Sequence, residues 1–206
     1  MFVKKFFLYV FLLIIFIASF FTIAQNMLFK KNVKRGQKFN LVKHRSNLSK
    51  PKSSTMRIPI NWKKSSENLP YPMIKKYHKI WIYVSIRKQR MYIINKNKII
   101  YTMYISTGIQ DRTHATPRGV YHVQSERGKY FYSPSEKEGA YYWVSWLDHG
   151  KYLFHSVPTN KNKTFVKKTI KDLGVRPSSH GCVHLSLSDS KWIYQNIKYG
   201  TKVVIK

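Results

Sequence analysis

The chain has 206 residues, with 38 Lys/Arg against 8 Asp/Glu, a net charge of +30 and one cysteine. That length holds one domain plus accessories, and a lone cysteine excludes an internal disulfide framework. Residues 25–79 carry 15 Lys/Arg against the single acid Glu67, and residues 80–206 carry 21 against seven acids, an even spread that implies a polyanionic setting rather than one docking patch.

Residues 6–24 are 19 positions without a charge, about 28 Å as helix and close to the hydrocarbon thickness of a bilayer. With Lys4 and Lys5 before it, this segment reads as a signal anchor, and residues 1–29 are expected to form a single-pass transmembrane helix. Cleavage after Thr22-Ile23-Ala24 would instead release a secreted protein. Lys30, Lys31, Lys34 and Arg35 outnumber Lys4 and Lys5, which by the positive-inside rule would place the rest of the chain in the cytoplasm. The unpaired thiol and its chemistry argue for the outer, cell-wall side of the membrane. A tethered chain of this charge suits anionic cell-wall polymers, and the span together with the absence of an aromatic RNA-binding signature argues against nucleic acid.

Residues 30–78 lack helical or strand periodicity and are rich in Lys, Asn, Ser and Pro. They read as a self-repelling, extended basic stalk, with a point of order near Ile58-Pro59-Ile60-Asn61-Trp62. The texture changes at Lys79, and residues 79–206 form the expected domain. Ile80–Ile86, Met91–Ile94 and Ile99–Ile105 have strand character, the last two separated by the turn signal Asn95-Lys96-Asn97. Ser106-Thr107-Gly108 closes the third strand, and Thr116-Pro117-Arg118-Gly119 introduces Val120–Val123. Tyr152-Leu153-Phe154 is strand-like. Ser186–Asp189 offers helix caps before Trp192, Ile193 and Ile197 at helical spacing, and Val203-Val204-Ile205 reads as a final buried strand. The sum is a mainly β domain with a curled or sandwiched sheet and one or two short helices.

Cys182 lies in Ser179-His180-Gly181-Cys182-Val183-His184-Leu185. An extended run over 180–185 would face His180, Cys182 and His184 one way and anchor Val183 and Leu185 in the core. Gly181 removes a side chain beside the sulfur, which suits an oxyanion hole built from the amides of residues 180–182. A free thiol is only about 3% thiolate at pH 7, so the nucleophile needs an imidazole to take its proton and form an ion pair. His44 and His78 lie in or beside the stalk; His114, His122 and His149 read as structural or solvated; His155, followed by Ser156, ends a strand-like run. The same residues admit two other readings, zinc held by His155, His180, Cys182 and His184, or a non-catalytic basic wall-binding protein.

Ser106-Thr107-Gly108, Thr116-Pro117-Arg118-Gly119, Phe154-His155-Ser156, Ser179-His180-Gly181-Cys182, Leu185-Ser186 and Trp192-Ile193-Tyr194 occur in that order. The series resembles the catalytic domain of L,D-transpeptidases, the YkuD-type enzymes that cross-link bacterial peptidoglycan, from about residue 79 to the C-terminus. The resemblance implies Cys182 as nucleophile and His155 as its base, with the Ser156 carbonyl orienting the imidazole and His180 and Gly181 supporting the site. It implies no cofactor and no metal, with peptidoglycan stem peptides as substrates. Ser179, His184, Tyr142 and Trp143 are the expected substrate contacts, the last two within an aromatic segment, 130–146, that would wall the cleft or form a flap. The same fold serves L,D-carboxypeptidases if water replaces the acceptor amine. Two features depart from the pattern. His184 occupies a position usually Arg or Asn, which would make recognition weaker or dependent on pH, and 23 residues separate His155 from Ser179, the excess expected as a surface loop through Asn160–Lys163.

Overall fold

The structure is a computed structural model that describes residues 55–206. The expected transmembrane segment 1–29 and the stalk up to residue 54 lie outside the described residues. Among those described, no helix is long and apolar enough to cross a membrane.

Nine strands of the described residues form one sheet: β1 (Ile80–Ser85), β2 (Arg90–Asn95), β3 (Lys98–Ser106), β4 (Gly119–His122), β5 (Arg127–Ser133), β6 (Glu138–Leu147), β7 (Tyr152–Ser156), β8 (Val183–Leu185) and β9 (Lys202–Ile205). Their order is β4-β9-β1-β2-β3-β8-β7-β6-β5. Alternation in the first strands dictates which face is dry. Ile82 and Val84 of β1, Met91 and Ile93 of β2, and Met103 and Ile105 of β3 point to one core, together with Phe154, Val183, Leu185, Val203 and Ile205. Each such side chain contributes roughly 1.5–3 kcal/mol by leaving water, so a one-residue slip in any of these strands would invert the whole pattern. The curled sheet closes over this core: Tyr121 of β4 meets Trp146 of β6, their rings 5.1 Å apart.

Among the described residues there are two α-helices, α1 (Lys167–Asp172) and α2 (Leu187–Asn196). Helix α2 starts where Ser186 accepts a hydrogen bond from the Asp189 amide at 3.0 Å, the N-cap the sequence offered. Its Trp192 and Ile193, with Ile197 beyond it, complete the core. Strands β5 and β6 were expected only as an aromatic wall or flap; they pair with each other from Arg127↔Val144 to Ser133↔Glu138. The long His155–Ser179 connection is not all loop either, because α1 forms within it after the expected turn at Asn160–Lys163.

The stalk reading fails for residues 55–78. The open edge of β3 carries amides with no neighbouring strand there, and this segment supplies their acceptors. Thr102 donates its N–H to Glu67 Oε1 at 2.7 Å and Tyr104 donates to the Ser66 hydroxyl at 2.8 Å. The Tyr71 hydroxyl donates to Asp189 at 2.7 Å, and Ser66 also binds that carboxylate. Met56, Ile60 and Trp62 pack with Tyr104, Val157 and Leu173 in a second apolar cluster. Composition suggested a solvated chain because the segment's few buried side chains are diluted by lysines. Replacing Glu67 with alanine would strand the Thr102 amide in a buried position, a cost of about 1–3 kcal/mol; a melting temperature several degrees below wild type is expected, and an unchanged one would show that water replaces the carboxylate.

Candidate active site

Strands β7 and β8 run parallel in register Phe154↔Val183, His155↔His184 and Ser156↔Leu185. Phe154, Val183 and Leu185 enter the core, so His155 and His184 project together from the opposite face, ring centroids 4.9 Å apart. The His155 Nδ1–H donates to the carbonyl of Ser156 at 2.7 Å, which leaves Nε2 as the free acceptor. The Ser156 hydroxyl is itself tied, accepting from the Tyr141 amide and donating to Val157 O. Phe131 lies edge-on against the His155 ring at 5.6 Å. The imidazole is thereby locked in tautomer and tilt.

Cys182 sits one position before β8 and two before His184, the residue that pairs with His155 across the parallel strands. Its thiol lies 3.7 Å from the carbonyl of Lys151. The extended run expected over 180–185 is confined to Val183–Leu185; residues 180–182 bend, with Gly181 at φ 119°. Here a side chain would fail twice, since a Cβ at Gly181 would also fall 2.8 Å from the Tyr152 ring. The Ser-Thr-Gly and Thr-Pro turns hold this bend. Thr107 O accepts from the amides of Ser178 and Ser179, while Thr116 Oγ1 accepts from Gly108 N and donates to Gly181 O. A Cβ on Gly108 would lie 2.0 Å from His114 O, so glycine is obligatory at this crossing.

Two expected assignments change. Ser179 was expected to contact substrate, but its buried hydroxyl is consumed inside the bend, donating to Cys182 O at 2.6 Å and accepting from Gly181 N at 3.1 Å. Since the Gly181 amide is thus spoken for, the expected set of oxyanion amides is reduced to those of His180 and Cys182, neither of which has a protein acceptor among the described residues. Tyr142 was expected to line the cleft. It takes φ 54° in β6 and packs instead against Tyr194 of α2 at 5.9 Å. Trp143 stays near the site: its ring stands against Phe131, which in turn covers His155.

His180 leaves the row of His155 and His184. Its Nδ1 lies 3.2 Å from Glu136 and 3.9 Å from Glu138, and its ring is 5.2 Å from His114. The zinc reading therefore lacks its geometry, and among the described residues no three His, Cys, Asp or Glu side chains are arranged to hold a metal ion. Phe131, Glu136 and Glu138 were missed from the sequence because they reach His155 and His180 only through the β5–β6 hairpin, which carried no strand-pairing signal of its own.

Electrostatics favour neutral groups at rest. Burial pushes the Cys182 thiol up to about 12, with the charges of Glu138 and Glu136 adding to it and the Leu153 amide opposing. Burial also holds His155 down to about 4, against the Ser156 carbonyl, which favours the protonated ring. Both shifts favour a neutral thiol and a neutral imidazole over the expected thiolate–imidazolium pair. His184 is driven well below its usual value, first by burial and then by His155 and His180, so the expected pH-dependent recognition near neutrality does not arise from it. Alkylation of the free enzyme by iodoacetamide should rise steadily between pH 6 and 9; a plateau across that range would reveal a preformed ion pair.

A family described as YkuD, L,D-transpeptidase catalytic domain, matches residues 79–205. A Bacillus subtilis (strain 168) protein named "Putative L,D-transpeptidase YciB" is 46% identical over 152 residues, covering 73% of this chain and 77% of its own length. An L,D-transpeptidase structure from Mycobacterium smegmatis is similar with a TM-score of 0.51 at 16% identity, over 62% of this chain and 58% of that one. The structure of LdtMt1 in complex with imipenem gives 0.50 at 19% identity, with the same coverage of 62% and 58%. At such identities the two structures speak to fold alone, and the chain spans little more than half of each. Between the motif order, the paired His155–Ser156 and Cys182 segments and the match over residues 79–205, the chain belongs to the L,D-transpeptidase catalytic-domain family.

Proposed function

We propose that this protein is a peptidoglycan L,D-transpeptidase acting through Cys182. The observation that carries the reading is the parallel β7–β8 pair, which aligns an imidazole oriented by the Ser156 carbonyl with the strand that directly follows the chain's one cysteine. The sulfur attacks the carbonyl of the third residue of a donor stem tetrapeptide, and its proton passes to His155 Nε2. The oxyanion is met by the amides of His180 and Cys182. Collapse breaks the peptide bond, His155 returns the proton to the leaving amine, and D-alanine departs. An amine of a neighbouring stem then attacks the thioester, gives its proton to His155 and restores the thiol.

A neutral resting pair fits this sequence, since proton transfer accompanies attack and no buried charge waits for substrate. His184 Nδ1 is buried without a partner among the described residues, beside the ring of the base. The reading extends to a membrane-tethered protein whose catalytic domain faces the cell wall, or a secreted one if the N-terminal segment is removed. Incubation with tetrapeptide donor and excess amine acceptor tests it: cross-linked dimer supports transfer, free tripeptide alone would make the enzyme an L,D-carboxypeptidase, and the absence of both products would end the reading.

A further inference from the structure

Strands β4, β9, β1, β2 and β3 contain no Asp or Glu, and none occurs anywhere from residue 79 to 110. All of the acids near the thiol belong to the other half of the sheet. Opposite the core, this acid-free half carries Trp81 and Tyr83 from β1, Tyr92 from β2 and Val204 from β9. Register brings them into one patch: Tyr83 pairs with Tyr92 on one side and Val204 on the other, and Trp81 pairs with Lys202.

The rings are fixed in place. Trp81 Nε1 donates to Lys96 O at 2.8 Å, Trp81 lies 6.5 Å from Tyr83, and Tyr83 stacks with Tyr92 at 5.9 Å and 21°. The ammonium of Lys202 stands 6.0 Å over the Trp81 ring. Exposed lysines and arginines frame the strand ends, Arg87 and Lys88 at one turn and Lys96 and Lys98 at the other. Neither helix accounts for the patch: α2 is spent in the core through Trp192 and Ile193, and Ile170 of α1 packs in the cluster around Tyr104. Cross-strand pairing explains aromatic residues here, but not the complete exclusion of acids from five strands around them.

We propose that the outer face of β4, β9, β1 and β2 binds an anionic polysaccharide, its sugar rings lying on Trp81, Tyr83 and Tyr92 and its acidic groups meeting Lys202 and the cations at the strand ends. The inference rests on the wall-enzyme reading and names that enzyme's polymer partner. Partly buried rings fixed against one another on a sheet suit the CH faces of sugars. A lipid surface is met by protruding apolar side chains on an amphipathic element, and these rings are partly buried in the sheet. The patch lies on the same face of the sheet as His155 and His184, since Ser106 of β3 pairs with His184. A strand of polymer held there keeps the enzyme on the material that bears its substrates.

Detergent-solubilised full-length protein should be co-sedimented with insoluble wall sacculi that retain their anionic polymer, with sacculi stripped of it, and, in competition, with single-stranded DNA and anionic vesicles. The Trp81→Thr/Tyr83→Thr variant should bind intact sacculi at least about tenfold more weakly. Lys202→Gln/Lys96→Gln, which alters only exposed ends, should lose about threefold and show a shallower salt dependence. Acyl transfer on soluble stem peptides should be unchanged in both. Wild-type binding by both variants would overturn the proposal, as would a preference of the wild type for DNA or vesicles at the same salt. Loss of sacculus binding with no acyl transfer in any form would keep this surface and sink the enzyme; intact transfer with unaltered binding would do the reverse.

Discussion

Replacing Cys182 with alanine is expected to lower L,D-transfer by on the order of 10⁴-fold or more, about 5.5 kcal/mol of transition-state stabilisation. The thiol is the strongest nucleophile the reading supplies, and no other cysteine exists to substitute for it. Half-buried and bonded only weakly to Lys151 O at 3.7 Å, it contributes little to packing, so the melting temperature should move by no more than a few degrees. Intact-protein mass spectrometry of the wild type with tetrapeptide should show a donor adduct lighter by the lost D-alanine, and the variant should show none. Turnover within tenfold of wild type would place the nucleophile elsewhere.

The second large effect is expected at His155. His155→Asn keeps a donor for the Ser156 carbonyl, removes the Nε2 base and should cost about 10²–10⁴ in kcat. It should also change how stability responds to acid. The folded-state value of His155 is lowered to about 4, so the native state binds fewer protons than the unfolded chain. Its stabilising contribution is complete above the unfolded value near 6.5 and is lost as pH falls through about 4. His184 acts in the same direction. Asp189 opposes them: burial raises it to about 6, so its contribution is present below its unfolded value and is lost as pH rises through about 6. The wild type should therefore lose stability between pH 6.5 and 4, and His155→Asn should lose less. An identical pH profile in the two proteins, measured by chemical denaturation, would show that the imidazole is not buried neutral.

Much of the domain could be read locally. The alternating runs of β1, β2, β3 and β9, the Ser186 cap and the Trp192-Ile193-Ile197 spacing each express one periodicity, and each became the element it resembled. Strands β5 and β6 were harder to read. Their aromatic residues, such as Tyr130, Phe131, Tyr141 and Trp143, are only partly buried, so neither face shows a clean apolar row, and Tyr142 breaks the alternation with a left-handed backbone. The segment around Ser66 and Glu67 was misread for a different reason: its work is done by two side-chain oxygens capping the edge of β3, and such long-range polar contacts leave no period in the sequence.

The site divides in the same way. The chemical identities came from local order: a lone thiol after a glycine, and an imidazole followed by a serine, are visible as residue types at fixed spacing. Their electrostatic state was not. A thiol pushed up to about 12 and an imidazole held near 4 follow from burial by Phe131, by β6 and by the hairpin glutamates, all distant in sequence. The same limit explains Ser179 and Tyr142, whose residue types suited a cleft until the Cys182 carbonyl and helix α2 claimed them. Sequence determined which atoms can react, because reactivity resides in functional groups. Only the tertiary structure decided their charge and partners, because desolvation and hydrogen bonding depend on what the fold brings alongside.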